Sequence, residues 1–582
     1  MVTKSALLTV IIVIIIALLT SAHRSSYKGT RAGQADADYI DSKKCVACHS
    51  DHYASWARTY HSRMTQQARD GSVQGDFEQN NTLEYQGIKA RMERRNGTFV
   101  MTFAYPDGRV ETNSIVRTVG SRRIEQYITE QNGQHQRLPV AYDLINRRWM
   151  HLNGSFFHPD GKDFFELRSA WDPNCVFCHN VKAQPNLDFN SRTFDTEVAE
   201  LGIACGACHG PAAAHADRAA SPFTRTAWRL SPEASREVVN PRKLDAERSL
   251  MVCGHCHGQR VPEPLSRIQE IMTDGDPYNA GEDLAAYYRP VWRDTRVGDY
   301  SFANRFWADG SPRLTAYEYQ GILRSKCFID GDRANRITCL SCHSMHDGDP
   351  RGQITEDNRT NKPCVACHQH YGQPAALARH TGHRADSEGS RCYNCHMPRV
   401  VYGIMTIHPT HSITVPDPQL TINDRVPNAC NQCHMDRSAN WALVESKRLW
   451  PVRFVKAEVS QDAQFDLPEG PRALFAGDAL ARAVSAEAMS GGGPYQPDPA
   501  WAAPWLAEAL QDDYPIVRYF AAAGIAAAWK GTRTPDYLNG ADCRALADTL
   551  SQRFDASVRQ HTARLAAGLR AKRPNVDIEV GE

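Results

Sequence analysis

Eight copies of a Cys-x-x-Cys-His pattern dominate the chemistry available to this sequence of 582 residues. They account for all but two of its 18 cysteines. Chance predicts about 0.02 copies in a chain of this composition, so the recurrence indicates one repeated function. The copies are Cys45-Cys48-His49, Cys175-Cys178-His179, Cys205-Cys208-His209, Cys253-Cys256-His257, Cys339-Cys342-His343, Cys364-Cys367-His368, Cys392-Cys395-His396 and Cys430-Cys433-His434.

The spacing within each copy is that of covalent haem c attachment. Two thiols three residues apart bond to the two vinyl groups of one haem, and the next residue, histidine, binds the iron as its proximal ligand. Zinc ribbons and redox-active dithiols also use Cys-x-x-Cys pairs. A zinc site does not require a histidine after every pair, and a dithiol would not recur eight times. The sequence therefore predicts eight haem c groups and an apoprotein that is largely unfolded.

The second axial ligand of each iron decides what the iron does. A strong ligand gives a low-spin electron carrier, whereas an open position admits a substrate. Any single histidine is by default a hydrogen-bonded core or surface residue, but eight irons need ligands and the supply is limited. His380 competes with His383 for one iron. The best distal candidates are His61, His151, His158, His215, His346, His383, His408 and His411.

The N-terminus predicts export. Lys4 precedes a long apolar run that ends at Ala22, and Thr20 with Ala22 forms a small-x-small cleavage site. The run is also close to the minimum length of a membrane span, so residues 1–22 are either a signal peptide or a membrane anchor. Both outcomes place the rest of the chain on the periplasmic side. Residues 23–42 are polar and rich in Gly and Ala, which predicts a flexible linker.

The elements around the motifs are predicted to be mainly helical and irregular. Residues 43–441 form the octahaem domain, in which closely spaced motifs and frequent prolines favour short helices and loops packed on haem. Residues 82–150 lack cysteine and predict a small β-rich insert, with a strand at 98–105. The preceding Asn96-Gly97 pair predicts a hairpin turn.

The last part of the chain, residues 442–582, predicts Ala-rich helices. The segments 505–523 and 546–564 share one pattern: a helix, a turn containing Asp, the pair Val-Arg, and a second helix. This repetition favours a HEAT-like α-helical domain, and the alternative is an ordinary helical cap on the haem domain. The overall fold class is therefore predicted as mainly α and irregular, with a small β insert and a HEAT-like C-terminal domain.

Several segments together resemble a known family. Cys45-Val-Ala-Cys48-His49 followed by Trp56 and His61 is similar to the start of the cytochrome family that includes the tetrahaem electron carrier of ammonia oxidation. The segments 202–215, 338–346, 391–398 and 411–416 resemble a wider set of octahaem bacterial cytochromes with C-terminal helical repeats. The resemblance covers about residues 43–441. It implies distal ligation by His61, His151, His215, His346 and His411.

The same superfamily contains enzymes, among them hydroxylamine oxidoreductase, octahaem nitrite reductase and tetrathionate reductase. This chain has no Cys-x-x-Cys-Lys motif of the kind found in the pentahaem nitrite reductases. A cationic pocket could be formed by Arg289, Arg293, Arg324 and Lys326, although charges of this kind are by default solvated surface groups. The resemblance therefore leaves both a carrier and an enzyme open.

Two functions follow. The first is periplasmic electron transfer, which is favoured because plausible distal histidines are about as numerous as haems. The alternative is a multihaem oxidoreductase that acts on a small nitrogen or sulfur compound at one open haem. Expected partners are redox proteins docked by the helical tail, and the membrane if residues 1–22 are retained. The formal net charge of +1 gives no reason to expect a nucleic-acid partner.

Overall fold

The computed structural model describes residues 38–161, 168–231, 237–314, 316–332, 336–494 and 496–574. The predicted signal peptide or anchor at 1–22 and most of the predicted linker lie outside the described residues. Among the residues that are described, no helix combines the length and the apolar character needed to cross a membrane.

A nine-stranded antiparallel sheet is the largest regular element. Its path runs β2-β3-β4-β5-β6-β7-β8, with β1 added to β5 and β9 added to β7. Strand β2 also approaches β8, so the sheet is strongly curled. The strands are β1 (Thr65–Gln67), β2 (Thr82–Tyr85), β3 (Ile88–Arg95), β4 (Thr98–Ala104), β5 (Val110–Val119), β6 (Ile124–Gln131), β7 (Gln134–Asp143), β8 (Arg148–His151) and β9 (Ser169–Ala170).

The turn between β3 and β4 confirms the hairpin prediction. Arg95 pairs with Thr98, which leaves a two-residue loop. Asn96 and Gly97 both have positive φ, 51° and 82°. Turns of this handedness match the twist of the flanking strands, and they require residues that tolerate a left-handed backbone.

Short helices and two-stranded hairpins surround the motifs. The hairpins pair β10 (Asn180–Gln184) with β13 (Glu197–Leu201), β11 (Leu187–Asp188) with β12 (Thr193–Phe194), β14 (Arg260–Pro262) with β15 (Tyr288–Pro290), β16 (Arg296–Val297) with β17 (Tyr300–Ser301) and β18 (Arg399–Gly403) with β19 (Thr406–Pro409). The helices up to residue 449 are α1 (Val46–Trp56), α2 (Val176–His179), α3 (Cys205–His209), α4 (Ala213–Ala219), α5 (Pro222–Leu230), α6 (Ala246–Gly254), α7 (Ile268–Asp274), α8 (Glu318–Arg324), α9 (Lys326–Ile329), α10 (Lys362–Val365), α11 (Pro374–Thr381), α12 (Cys392–His396), α13 (Pro418–Asp424), α14 (Ala429–Cys433) and α15 (Ala439–Leu449).

Six helices follow and close into a bundle. The last helix returns to the first and third of them, because the Arg570 guanidinium lies over the Phe475 ring at 5.2 Å and donates to Glu508 Oε1 at 2.6 Å. In a HEAT solenoid each repeat contacts only its neighbours, so this return departs from that architecture. The six are α16 (Glu469–Ala476), α17 (Ala479–Met489), α18 (Pro499–Ala509), α19 (Pro515–Ala528), α20 (Gly540–Ser551) and α21 (Ala556–Arg570).

The bundle and the sheet share one apolar core, in which Met150 and Leu152 of the sheet side meet Tyr537 and Leu538. Gly154 permits this approach, since a Cβ there would lie 2.9 Å from the side chains of Tyr537 and Leu538. The helical part therefore packs against the sheet as an integral part of the fold.

The prediction of a mainly α and irregular fold with a small β insert and a HEAT-like domain is wrong. Strand accounts for 18% of the structure beside 41% helix, and the sheet reaches from Thr65 to Ala170. The hairpins among the motifs contain strands of two to five residues. Strands this short show too few alternations of apolar and polar residues for a periodicity signal.

Candidate cofactor site

The motif residues lie mostly on single helical turns. Helices α2, α3, α12 and α14 each cover most of one motif. Residues i, i+3 and i+4 occupy the same face of a helix, so the two thiols and the imidazole of a motif point to one side. No disulfide bond joins any of the 18 cysteines, all of which lie in the described residues.

Six of the eight motif histidines have a second histidine ring opposite them at a common distance. The distances between ring centroids are 6.4 Å for His49 and His215, 6.2 Å for His209 and His346, 6.2 Å for His257 and His61, 6.4 Å for His343 and His411, 6.1 Å for His396 and His380, and 6.0 Å for His434 and His383.

This separation fits a metal ion held between two imidazoles. Two metal–nitrogen bonds of about 2 Å, with part of each ring behind them, put the ring centres about 6 Å apart. Five pairs are near-parallel, with interplanar angles between 3° and 25°, and one pair is at 75°. Both orientations are compatible with axial ligation, because each ring can rotate about its own metal–nitrogen bond. The residues present therefore fit haem iron.

His49 has a second neighbour, His52, at 6.1 Å. Both residues lie in α1, but the backbone kinks at His49 (φ −124°, ψ 44°), so helical periodicity does not relate the two rings. His52 stacks on His346 at 4.4 Å, whereas His215 stacks on Trp228 at 4.9 Å. His215 belongs to a different helix, so it can approach His49 from the opposite side.

Three of the eight predicted distal histidines are placed elsewhere. His151 stacks on Tyr85 at 4.6 Å, and its Nδ1 accepts the Asn153 N–H at 3.1 Å. His158 lies in the loop after β8, where its N–H donates to a backbone carbonyl. His408 has its Nε2 3.9 Å from a carboxylate oxygen of Glu318. The other five, His61, His215, His346, His383 and His411, each face a motif histidine.

Two motif histidines, His179 and His368, have no histidine ring opposite them in the part of the chain that is described. Burial lowers the pKa of His179, and the nearby Arg137 guanidinium acts in the same direction. A second guanidinium, that of Arg117, lies over the Trp171 ring at 4.6 Å. Its Nη1 is buried and has no hydrogen-bond partner within the described residues.

The two ring nitrogens of the facing histidines have separate roles. Backbone carbonyls lie within hydrogen-bond distance of Nδ1 in three motif histidines: Val239 O for His209, Gly352 O for His343 and Thr414 O for His396, at 2.7, 3.0 and 2.7 Å. A proton on Nδ1 leaves Nε2 as a neutral ligand. Burial also lowers the pKa of both His61 and His411 to about 4, so both rings are neutral at pH 7.

His257 differs from these three, because its Nδ1 lies 3.9 Å from Glu318 Oε2. Burial alone would raise the pKa of the Glu318 carboxyl. The interaction with His257 outweighs burial and lowers this pKa to about 2. The same pair acts on the imidazole: burial would lower the pKa of His257, and Glu318 raises it to about 9.

Neighbouring motifs are in side-chain contact. Four thiol pairs from different motifs interact directly: Cys45 with Cys205, Cys178 with Cys256, Cys253 with Cys339, and Cys364 with Cys392. Longer-range electrostatic interactions link Cys208 with Cys253, Cys342 with Cys364, and Cys395 with Cys430. The eight motifs thus form one connected series, in which the fourth motif interacts directly with the second and the fifth.

Sequence reasoning missed three features of this site. His380 faces His396, although its spacing from His383 suggested that the two residues compete for one iron. Glu318 lies far from the fourth motif in sequence, and no sequence pattern marked it as a site residue. His255, inside the fourth motif, is held by Asp276, whose Oδ2 lies 2.6 Å from Nε2.

No protein-family model matches the chain, and no curated protein matches it. Among solved structures, the chain is similar to the outer cell wall cytochrome OcwA at 16% identity, with a TM-score of 0.47. That comparison covers 90% of this chain and 99% of the other.

Proposed function

We propose that this chain is a multihaem c-type cytochrome that transfers electrons on the periplasmic side of the membrane. The observation that carries the proposal is the common separation of 6.0 to 6.4 Å between six motif histidines and a second histidine. Aromatic rings also pair at about 4.5 to 7 Å without a metal, so the distance gains its weight from recurrence: six times, a motif histidine faces a histidine from outside the motifs within this narrow range. Together with eight motifs, this spacing supports bis-histidine ligation at six irons.

The sixteen motif cysteines would hold the cofactors covalently, and the motif histidines would bind iron on one side. Bound haem c supplies reversible one-electron chemistry without a need for catalytic side chains. The six facing histidines close the second side and exclude other ligands. The carbonyls at Val239, Gly352 and Thr414 fix the ring orientation of three motif histidines.

The distal histidines also tie the motifs together. His215 follows the third motif and faces the first, whereas His346 follows the fifth and faces the third. Each such pair crosslinks two segments through one cofactor, which keeps neighbouring motifs at a fixed distance. A fixed distance between carriers is what an electron relay requires. Redox proteins are the proposed partners, and the C-terminal bundle is their proposed docking element.

Substitution of two neighbouring histidines, His408 and His411, tests the proposal. His411 faces His343, whereas His408 lies beside Glu318, so only H411A removes a ligand. We expect electron paramagnetic resonance of oxidised H411A to show a new high-spin signal from about one haem in eight. H408A should stay low-spin at that haem. An unchanged spectrum in H411A, or equal high-spin signals in both variants, contradicts the assignment.

A second candidate function is an oxidoreductase that acts on a small nitrogen or sulfur compound at an open iron. It is favoured by His179, which has no facing histidine in the described residues and lies near the Arg137 guanidinium. Buried guanidinium groups attract anions. A high-spin signal in the unaltered protein that changes on addition of nitrite supports this function. An entirely low-spin spectrum that nitrite leaves unchanged rejects it.

A further inference from the structure

Helix α8 places a buried carboxylate against the fourth motif. The Tyr319 N–H donates to the backbone carbonyl of His257 at 2.9 Å, and Gln320 Nε2 donates to Gln259 O at 2.6 Å. The Tyr319 ring covers Gly254, where an added Cβ would lie 2.5 Å from the ring. These contacts fix the start of α8 on the motif, and Glu318 is the residue next to them.

Glu318 contacts histidines on both sides. Its Oε2 lies 3.9 Å from His257 Nδ1, and its Oε1 lies 3.9 Å from His408 Nε2. The side chain is only 15% exposed. Among the described residues, no lysine or arginine forms an ion pair with this carboxylate. Its negative charge therefore faces the two imidazoles without a neutralising lysine or arginine in the described residues.

Three motif histidines hydrogen-bond through Nδ1 to backbone carbonyls, which are neutral. They are His209, His343 and His396. The Glu318 carboxylate lies 3.9 Å from His257 Nδ1, beyond hydrogen-bond distance, so it acts on this imidazole through its negative charge. The fourth motif is therefore electronically distinct from these three.

We propose that Glu318 is a positioning residue whose negative charge, beside the imidazole of His257, lowers the reduction potential of the haem held by the fourth motif; this rests on the proposed function. A nearby negative charge stabilises the oxidised iron relative to the reduced iron. The fourth motif interacts directly with the second and the fifth, so Glu318 would set the potential at a branch of the relay.

The test is a redox titration of the full-length holoprotein in four forms: unaltered, E318Q, E318D and E200Q. Glu200 is the matched control, a part-buried carboxylate that accepts from Ser42 N and Oγ beside the first and third motifs, without contact to a motif imidazole. Visible spectra follow reduction of all haems, and electron paramagnetic resonance follows each low-spin signal. These measurements do not depend on any enzymatic activity.

In E318Q we expect one haem of eight to become easier to reduce, by about tenfold in its reduction equilibrium or about 59 mV for one electron, with no new high-spin signal. E318D keeps the negative charge on a shorter side chain. The reduction potential of that haem in E318D should therefore lie between its values in E318Q and in the unaltered protein. E200Q should leave that haem unchanged.

A titration of E318Q that superimposes on the unaltered protein, or that matches a shift in E200Q, overturns the role of Glu318. If E318Q does not fold, E318D takes its place in the test and must shift that haem in the same direction. An unaltered protein without a haem spectrum rejects the proposed function itself, so the two failures are distinguishable.

Discussion

At the scale of single residues, chemistry in this protein depends on how burial and a few polar contacts set the state of each side chain. The distal candidates His61 and His411 are neutral because they are buried. Glu125 in β6 is a further buried group, outside the motifs. Its carboxylate accepts the Gln74 N–H at 3.0 Å and the Tyr127 hydroxyl at 2.6 Å.

Glu125 should make stability depend on pH. Burial raises its pKa from 4.5 to about 7, so the folded chain holds this proton more tightly than the unfolded chain. The stabilisation is complete below about pH 4.5 and is lost as the pH rises to about 7, by about 3 kcal/mol in total. We expect E125Q to lack this decline when guanidinium unfolding is followed by circular dichroism from pH 4.5 to 8.

The exposed Glu130 at the end of the same strand provides the control. E130Q should keep the slope of stability against pH that the unaltered protein shows. A slope in E125Q equal to that of the unaltered protein contradicts the assignment of this titration to Glu125.

At the scale of elements, the sheet and the C-terminal bundle are joined by ion pairs of buried arginines. Arg518 of α19 is 1% exposed and binds both carboxylate oxygens of Asp160, in the loop after β8, at 2.8 and 3.0 Å. It also donates to the backbone carbonyls of Tyr537 and Asp512. Arg123, just before β6, likewise pairs with Asp143 and donates to a tyrosine of α19. Such contacts specify which helix meets which strand.

Loss of Arg518 should therefore be costly. R518A leaves two carbonyls and the Asp160 carboxylate without their donors, so we expect a loss of about 3 kcal/mol in the free energy of unfolding. R533A removes the exposed pair between Arg533 and Asp542 and should cost less than about 1 kcal/mol. Chemical unfolding of both variants tests this: equal losses of unfolding free energy would show that burial of the Arg518 guanidinium has no special weight.

At the scale of the whole molecule, two kinds of core coexist. The curled sheet and helices α16–α21 share one large apolar core built from protein side chains alone. Between residues 205 and 435 eight buried residues belong to that core, the remaining buried apolar clusters are small, and most motif residues are only partly buried by protein. In that region the proposed haems would supply the missing apolar bulk.

The apoprotein should therefore be partly folded. When the chain is produced without haem attachment, we expect amide hydrogen exchange to stay slow in β3–β7 and in α16–α21 and to become fast across residues 205–435. The expectation from sequence, a largely unfolded apoprotein, would then apply to the motif region only. Fast exchange throughout the sheet would refute the idea of an independent protein core, and the holoprotein serves as the reference.

The local chemistry of the motifs was readable from sequence because it is contained within five residues. Two cysteines and a histidine at i, i+3 and i+4 share a face wherever a helical turn forms, so neither the count of motifs nor the predicted cofactor needed the fold. The Asn96-Gly97 hairpin was readable for the same reason, since the turn is fixed by two adjacent residues.

The pairing of histidines was decided by the tertiary structure, because it joins residues from segments far apart in the chain. His61 meets His257, and His380 meets His396 while His383 meets His434, which spacing alone does not distinguish. The extent of the sheet and the closure of the helical bundle have the same origin. Both arise from long-range packing, in which a strand or a helix is stabilised by partners that its own periodicity does not encode.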